Sequence, residues 1–308
     1  MSYDVVIFGG PAGYLAGERA GQAGLKAVVI EKRSVGGVCL NEGCIPSKTL
    51  LNSAKVYSYA THGDKYGVTT TGAALDHKAV VARKNKVVNT LVSGIKATLK
   101  SHKVDVVNAE GVIKGKEGEE FVVVAEGKEY RGKNLIIATG SSPAMPPITG
   151  LREQYEAGFI LTNREILDLQ EIPEKLVIIG GGVIGLEMAA YFNTAGSKVT
   201  VIEMLDHIAG PTEGEISAML LKDLTKKGVE FCLSSKVLEI KAGSVVYEAG
   251  GKTVEVQADK ALCSIGRRPV TQGIGLENIG VYTERGAIKT DSQCRTNIPN
   301  VYAAGDVN

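Results

Sequence analysis

The chain has no surplus of charge, no long apolar run and few cysteines, and each scarcity closes off a class of protein. Lysine and arginine number 35 against 34 aspartates and glutamates, and no basic block or stripe stands out that could neutralise a phosphate backbone. Nucleic acid is therefore not an expected partner. No apolar run approaches the roughly 18 residues that a membrane helix needs. The chain enters an apolar strand by Val5, with no charged leader and apolar leader core before it. No membrane partner is expected, and a cytoplasmic location is. Five cysteines, an odd number in 308 residues, do not suggest a secreted disulfide framework. Any disulfide here is expected to be chemistry rather than a staple.

What the chain does have is length for about two domains, which favours a multi-domain α/β protein, and an excess of glycine. Glycine makes up 38 of the 308 residues, well above the typical share of about 7 %, and much of it falls at strand-to-helix turns. Two stretches carry the same order of parts: apolar strand, glycine cluster, small-residue helix, second strand, terminal glutamate. The first runs from Asp4 through Gly9, Gly10 and Gly13 to Ala27–Ile30 and Glu31. The second runs from Leu176 through Gly180, Gly182 and Gly185 to Lys198–Ile202 and Glu203. Between them the periodicity predicts a helix near Ser47–Ala60 and a long one over Asp76–His102. Glu119–Tyr130 reads as a small antiparallel meander, Leu135–Ala138 as a separate buried strand, and Pro143–Pro147 as a linker. A matching meander over Val237–Val256 follows the second repeat. The expected fold is α/β, with two Rossmann-like dinucleotide-binding domains, each a parallel sheet with a small meander. The expected boundaries are 1–149, 150–270, and a return to the first domain over 271–308.

The repeats suit dinucleotides for a physical reason. A strand that turns sharply into a helix leaves the helix's first N–H groups aimed at whatever sits there, and a pyrophosphate fits that place. Glycines allow the close approach, and a carboxylate ending the next strand accepts hydrogen bonds from the adenosine ribose. Gly180-x-Gly182-x-x-Gly185 is complete, with Glu203 following Gly185 by 18 residues; the competing reading is a glycine-rich turn without a ligand. Glu203 also favours NAD over NADP, because the extra phosphate would stand beside its carboxylate, and Met204–Asp206 offers no arginine to hold it. The first repeat departs from the pattern. Either Phe8 stands where the first glycine belongs, or Gly9 is the first glycine and the loop is one residue short. Glu31 still follows Gly13 by 18 residues.

The segment from Gly36 to Lys48, GGVCLNEGCIPSK, holds Cys39 and Cys44. Disulfide formation needs Cα atoms within about 7 Å, whereas five extended residues span about 17 Å, so a bridged loop must fold back, and Gly43 eases the bend. Pro46 suits the first turn of a helix, which places Cys44 at or next to a helix N-terminus, where a thiolate is favoured. Lys48, four residues on, adds positive charge. The competing readings are a structural bridge or half of a zinc site. No second ligand pair stands out among Cys232, Cys263, Cys294 and the four histidines, so no metal is expected. Cys232 and Cys263 lie in apolar runs and read as core residues. His62, His77, His102 and His207 read as surface or loop residues.

At this point the sequence resembles the pyridine nucleotide-disulfide oxidoreductases, and Ile45-Pro46-Ser47-Lys48 is most similar to their dihydrolipoamide dehydrogenase members. Ala138-Thr139-Gly140 resembles the family's crossing between domains, Ser264-Ile265-Gly266-Arg267-Arg268-Pro269 its return crossing, and Val301-Tyr302-Ala303-Ala304-Gly305-Asp306 its second flavin motif. The resemblance covers the whole chain. It implies FAD in the first unit and NAD in the second, with Asp306 on the ribityl chain, Glu187 beside the nicotinamide and Lys48 near the flavin. It implies a redox-active Cys39–Cys44 disulfide, Cys39 exchanging with a dithiol or lipoyl substrate and Cys44 facing the flavin. Family members continue past the Ala-Gly-Asp motif into an interface domain that carries a His–Glu acid/base pair and builds a homodimer. The corresponding expectations are a truncated enzyme, a monomer or weak association, and impaired lipoamide turnover. The alternative is a catalytically silent nucleotide-binding module. The shorter thioredoxin reductase type is disfavoured, because its cysteine pair lies in the NAD domain and this pair precedes Gly180.

Overall fold

A computed structural model describes residues 2–308. Along the chain come strand β1 (Ser2–Phe8), helix α1 (Gly10–Gln22), β2 (Ala27–Ile30), the short α2 (Gly37–Glu42), α3 (Cys44–Thr61) and the long α4 (His77–Ser101). Next are β3 (Asp105–Val107), β4 (Gly111–Glu117), β5 (Glu120–Ala125), β6 (Lys128–Ile137) and β7 (Ser141–Pro143). Then come α5 (Leu151–Glu156), β8 (Ile160–Leu161), β9 (Lys175–Ile179), α6 (Val183–Ala195), β10 (Lys198–Ile202), α7 (Gly214–Lys226) and β11 (Glu230–Cys232). These are followed by β12 (Ser235–Lys241), β13 (Ser244–Ala249), β14 (Lys252–Gln257) and β15 (Lys260–Cys263). The chain closes with β16 (Arg267–Pro269), β17 (Thr283–Glu284), β18 (Ala287–Ile288) and β19 (Val301–Ala303).

Two compact units result. The first comprises the chain up to Ile45, Val87–Ser142 and Arg267–Asn308. Its seven-stranded sheet has the order β3-β2-β1-β6-β5-β4, with β19 also on β6. The strands β3, β2, β1, β6 and β19 run parallel. Such strands are buried on both faces and therefore read as continuous apolar runs: Val6 and Phe8 face one cluster with Phe121 and Val123, while Val5 and Ile7 face another with Leu99 and Val104. The meander and the buried strand Leu135–Ala138, expected as separate elements, share one ten-residue strand, β6. Its first half pairs antiparallel with β5 and its second half parallel with β19. Gly132 lets it run through, since a Cβ there would lie 2.8 Å from Val6 Cγ2.

The second unit comprises Pro46–Lys86 and Pro143–Gly266. Its five-stranded sheet, β11-β10-β9-β15-β8, is parallel throughout. The meander β12-β13-β14 stays a separate sheet. The stretch expected as 1–149 is divided, because Leu50 and Ala54 of α3 bury into the core formed by Ile178, Leu186 and Phe192. His77, expected at the surface or in a loop, is buried. Its Nδ1 lies 2.7 Å from the Tyr191 hydroxyl and its Nε2 2.9 Å from the Leu169 carbonyl oxygen. Helical periodicity alone does not show which face of the first turn of α4 is covered. Among the described residues no helix is long and apolar enough to cross a membrane.

Candidate functional site

Each unit contains a strand, a glycine loop and a helix in succession, and a glutamate directly follows the next strand. Glu203 is fixed by two backbone donors, Gly181 N–H on Oε2 at 2.6 Å and Leu205 N–H on Oε1 at 2.8 Å. Glu31 is held in the same way, by Gly10 N–H at 2.9 Å and Arg33 N–H at 2.9 Å. Both carboxylates are thus oriented by the chain before any ligand arrives. Each oxygen keeps a lone pair for a ribose hydroxyl.

The glycines serve several purposes. Gly180 has φ +104°, and a Cβ on it would lie 2.6 Å from the Ser264 carbonyl oxygen; one on Gly185 would lie 2.2 Å from the Gly180 carbonyl oxygen. These two let the helix pack on the sheet. Gly182 caps α6 in an extended conformation, and its Cβ would meet nothing within 4 Å. Its bareness leaves room for a ligand. In the first unit Gly10 has φ +83° and its Cβ would lie 2.3 Å from the Ala138 carbonyl oxygen, while a Cβ on Gly9 would fall 2.1 Å from Glu31 Oε2. Gly13 packs on the Phe8 carbonyl oxygen at 2.8 Å. All three are needed by the protein itself.

Residues of the two crossings meet inside the first unit. Thr139 Oγ1 donates to the Val270 carbonyl oxygen at 2.6 Å, and the Gly140 carbonyl oxygen accepts from Val270 N–H at 2.9 Å. Arg267 donates through Nε to Ser141 Oγ at 2.7 Å and through Nη2 to the Ser141 carbonyl oxygen at 2.7 Å. Ser141 Oγ in turn donates to Asp306 Oδ2 at 2.6 Å. Ser141 was not singled out in the sequence, though it directly follows Ala138-Thr139-Gly140. Gly266 has φ +119° with open space where a Cβ would stand.

The cysteine segment bends sharply at Gly43, which has φ −148° and ψ −113°. Cys39 lies in α2 and Cys44 opens α3, with Gly43 the single residue between the helices. A Cβ on Gly43 would lie 3.3 Å from Cys39 Cα and 3.1 Å from the Val38 carbonyl oxygen, so a side chain there would press on the backbone. Asn41, also unremarked in the sequence, ties the turn together by donating to the carbonyl oxygens of Gly37 at 2.9 Å and Val35 at 3.2 Å. Cys39 is half-buried and Cys44 exposed. Lys48 follows one turn into α3, and within the second unit its Nζ pairs with Glu187 of α6. Cys263 is buried, and burial pushes its thiol up to about 11, while Cys232 lies 3.3 Å from the Tyr247 hydroxyl.

These residues fit dinucleotides in both units, most plainly at the open Gly182 and the pre-oriented Glu31 and Glu203. Residues 3–308 match the family described as pyridine nucleotide-disulphide oxidoreductase. The dihydrolipoyl dehydrogenase of Acholeplasma laidlawii is 43% identical over 308 residues, covering 99% of this chain and 90% of that protein. That of Bacillus subtilis (strain 168) is 43% identical over 321 residues, covering 99% of this chain and 67% of that protein. Among solved structures, the HOCl-induced flavoprotein disulfide reductase RclA from Escherichia coli, as a Cu(II) complex, superposes with a TM-score of 0.86 at 29% identity. That match takes in 100% of this chain and 66% of the other, so the chain spans about two thirds of the Bacillus and Escherichia proteins. Matched almost end to end by the family and at this identity by its curated members, the chain belongs to the pyridine nucleotide-disulphide oxidoreductases.

Proposed function

We propose that the chain carries electron pairs between a dithiol of the dihydrolipoyl class and NAD, through the Cys39–Cys44 couple and FAD. The observation that carries this reading is the tight bend at Gly43, whose would-be Cβ lies 3.3 Å from Cys39 Cα one residue before Cys44 opens α3. In the oxidised form a substrate thiolate attacks Cys39 Sγ, the Cys39–Cys44 bond breaks, and Cys44 departs as a thiolate. Its place as the first residue of α3 favours that leaving group, because the helix end presents unpaired N–H groups and a partial positive charge. The second substrate thiolate then attacks the mixed disulfide, releasing Cys39 and the oxidised substrate. Two electrons and two protons have left the dithiol, and the protein holds the pair of thiols. When bound, FAD supplies the two-electron chemistry that links this couple to a nicotinamide.

The chain's own residues would do the positioning. Glu31 would hold the flavin's adenosine ribose and Glu203 that of NAD, each through a carboxylate already fixed by backbone donors. Gly182 would admit the pyrophosphate to the start of α6. Asp306, tethered through Ser141 to Arg267, would hold the ribityl chain. Lys48, ion-paired to Glu187 within the second unit, would set the charge beside the nicotinamide.

The test is dihydrolipoamide-driven NADH formation by FAD-loaded protein, alongside NADH-driven dye reduction on the same preparation. The expectation is that Cys39→Ser and Cys44→Ser abolish the first reaction and leave the second. Equal NADH formation in Cys44→Ser would overturn the thiol route. Failure of wild type in both assays with FAD bound would favour a silent module.

A further inference from the structure

The two phosphate loops can be superposed by their fixed points, and they differ by one residue. Gly9 N–H bonds the Ile30 carbonyl oxygen at 2.8 Å as Gly180 N–H bonds that of Ile202 at 2.9 Å. Gly10 N–H bonds the Glu31 carboxylate as Gly181 N–H bonds that of Glu203. From there the glycine packed against the strand end lies three residues on in the first unit, at Gly13, but four in the second, at Gly185. Helix α1 is capped by Gly9, the first fixed point itself, whereas α6 is capped by Gly182, two residues past the matching Gly180, so the first loop lacks a bare residue between strand and helix that leaves ligand space. The residue after Gly10 is Pro11, which has no N–H, whereas Gly181 is followed by Gly182 and Val183, which do. The outer side of the first loop is also covered: a Cβ on Gly37 would lie 2.4 Å from Pro11 Cδ and 2.8 Å from Gly10 Cα.

The missing residue is accounted for by Phe8. Counting back five residues from the packed glycine, Phe8 stands where Gly180 stands in the second loop, yet it belongs to the strand. It pairs with Ile30 and Ile137 as Ile179 pairs with Ile202 and Cys263. Its ring is 3 % exposed, and a Cβ on Gly111 would lie 2.9 Å from Phe8 Cε1. The ring thus fills the space that Gly111 leaves and keeps position 8 in the ladder rather than in the loop.

We infer that Phe8, seated against Gly111, makes the first unit hold its flavin dinucleotide as an exchangeable ligand rather than a resident group. The inference rests on the reading of that unit as the flavin site. A shortened loop presents fewer N–H donors to the pyrophosphate, and a charge-assisted hydrogen bond is worth about 10- to 100-fold in affinity. Binding then depends on free flavin concentration.

The test measures flavin absorbance retained per chain after extended dialysis, and FAD affinity from quenching of free FAD fluorescence on titration, with no assay of activity. Wild type should lose flavin on dialysis and rebind added FAD. Phe8→Gly should retain it and bind about 10- to 100-fold tighter. Because loss of the buried ring can unfold the unit, Phe8→Gly/Gly111→Ala is measured beside it, with circular dichroism melting as the folding control. Stoichiometric flavin surviving dialysis in wild type would overturn the inference and leave the flavin reading standing. So would affinity unchanged from wild type in the folded double variant. Absence of FAD binding in wild type and both variants would overturn both.

Discussion

The chain carries one motif twice, and both copies use glycines for packing, but only the second has one that leaves ligand space. In the second loop Gly182 is bare so that a ligand can approach, with nothing of the protein within 4 Å of its would-be Cβ. In the first loop Gly9, Gly10 and Gly13 are bare because the protein itself fills the space, at 2.1, 2.3 and 2.8 Å. The same residue type thus reports ligand space at Gly182 and chain packing at Gly9, Gly10, Gly13, Gly180 and Gly185. A glycine's neighbours decide which reading applies.

The sharpest way to break this comparison is through the two glutamates. A 2′-phosphate about 4 Å from the Glu203 carboxylate would be repelled by roughly 4 kcal/mol at an effective dielectric near 20, so NADH should be preferred over NADPH by up to about a thousandfold. Glu203→Gln should collapse that preference, while Glu31→Gln should leave it intact and lower flavin retention instead. Stopped-flow reduction of bound flavin by each nucleotide at equal low concentration is the measurement. Equal rates for both nucleotides in wild type would count against the assignment of Glu203.

A smaller effect separates the glycines themselves. Gly182 has φ −77° and open surroundings, so Gly182→Ala should fold normally and raise the KM for NADH about tenfold or more. Gly10 has φ +83° and a carbonyl oxygen where the methyl would go, so Gly10→Ala should cost about 1–3 kcal/mol of stability. Thermal melting and NADH kinetics on both variants check the pair. A fall in Tm for Gly182→Ala matching that for Gly10→Ala would erase the distinction.

The Lys48–Glu187 pair should matter less to folding than to chemistry. Lys48 is 62% exposed in its side chain, and exposed pairs contribute about 0–1 kcal/mol. Lys48→Met should leave Tm nearly unchanged while shifting the absorbance of FAD-loaded protein. A large drop in Tm would recast the pair as structural.

The least effect concerns His77, whose imidazole burial holds below its usual basicity, against the opposing pull of the Leu169 carbonyl oxygen and Asp76. The unfolded chain therefore binds a proton at higher pH than the folded one. The stability that follows is full above about pH 6.5 and is lost as pH falls through the lower folded value. Tm measured at pH 7.5 and 5.5 should fall more for wild type than for His77→Gln.

Much of this was legible in the sequence, and the failures have physical causes. The second repeat was readable because strand, glycines, helix and acid occur in order, and the helices over 47–60 and 76–102 followed from periodicity. Phe8 was visible as an irregularity, but sequence could not choose between a replaced glycine and a shortened loop. That choice depends on the pairing of Phe8 with Ile30, a register fact. Continuity of β6 is not visible in the sequence because the alternating segment to Tyr130 and the apolar run from Leu135 differ in pattern, while Gly132 between them packs against Val6. The burial of His77 and the packing of α3 with the second unit depend on non-local contacts with Tyr191 and Phe192. The link from Arg267 through Ser141 to Asp306 joins three segments far apart in sequence, which no local pattern encodes.

The central claim is that the Cys39–Cys44 couple exchanges electron pairs with a nicotinamide held at Glu203. Its most direct test is an anaerobic NADH titration of oxidised, FAD-loaded protein, with accessible thiols counted before and after. One new pair of thiols per chain should appear in wild type and none in Cys44→Ser. NADH consumption and flavin bleaching in wild type without new thiols would contradict it.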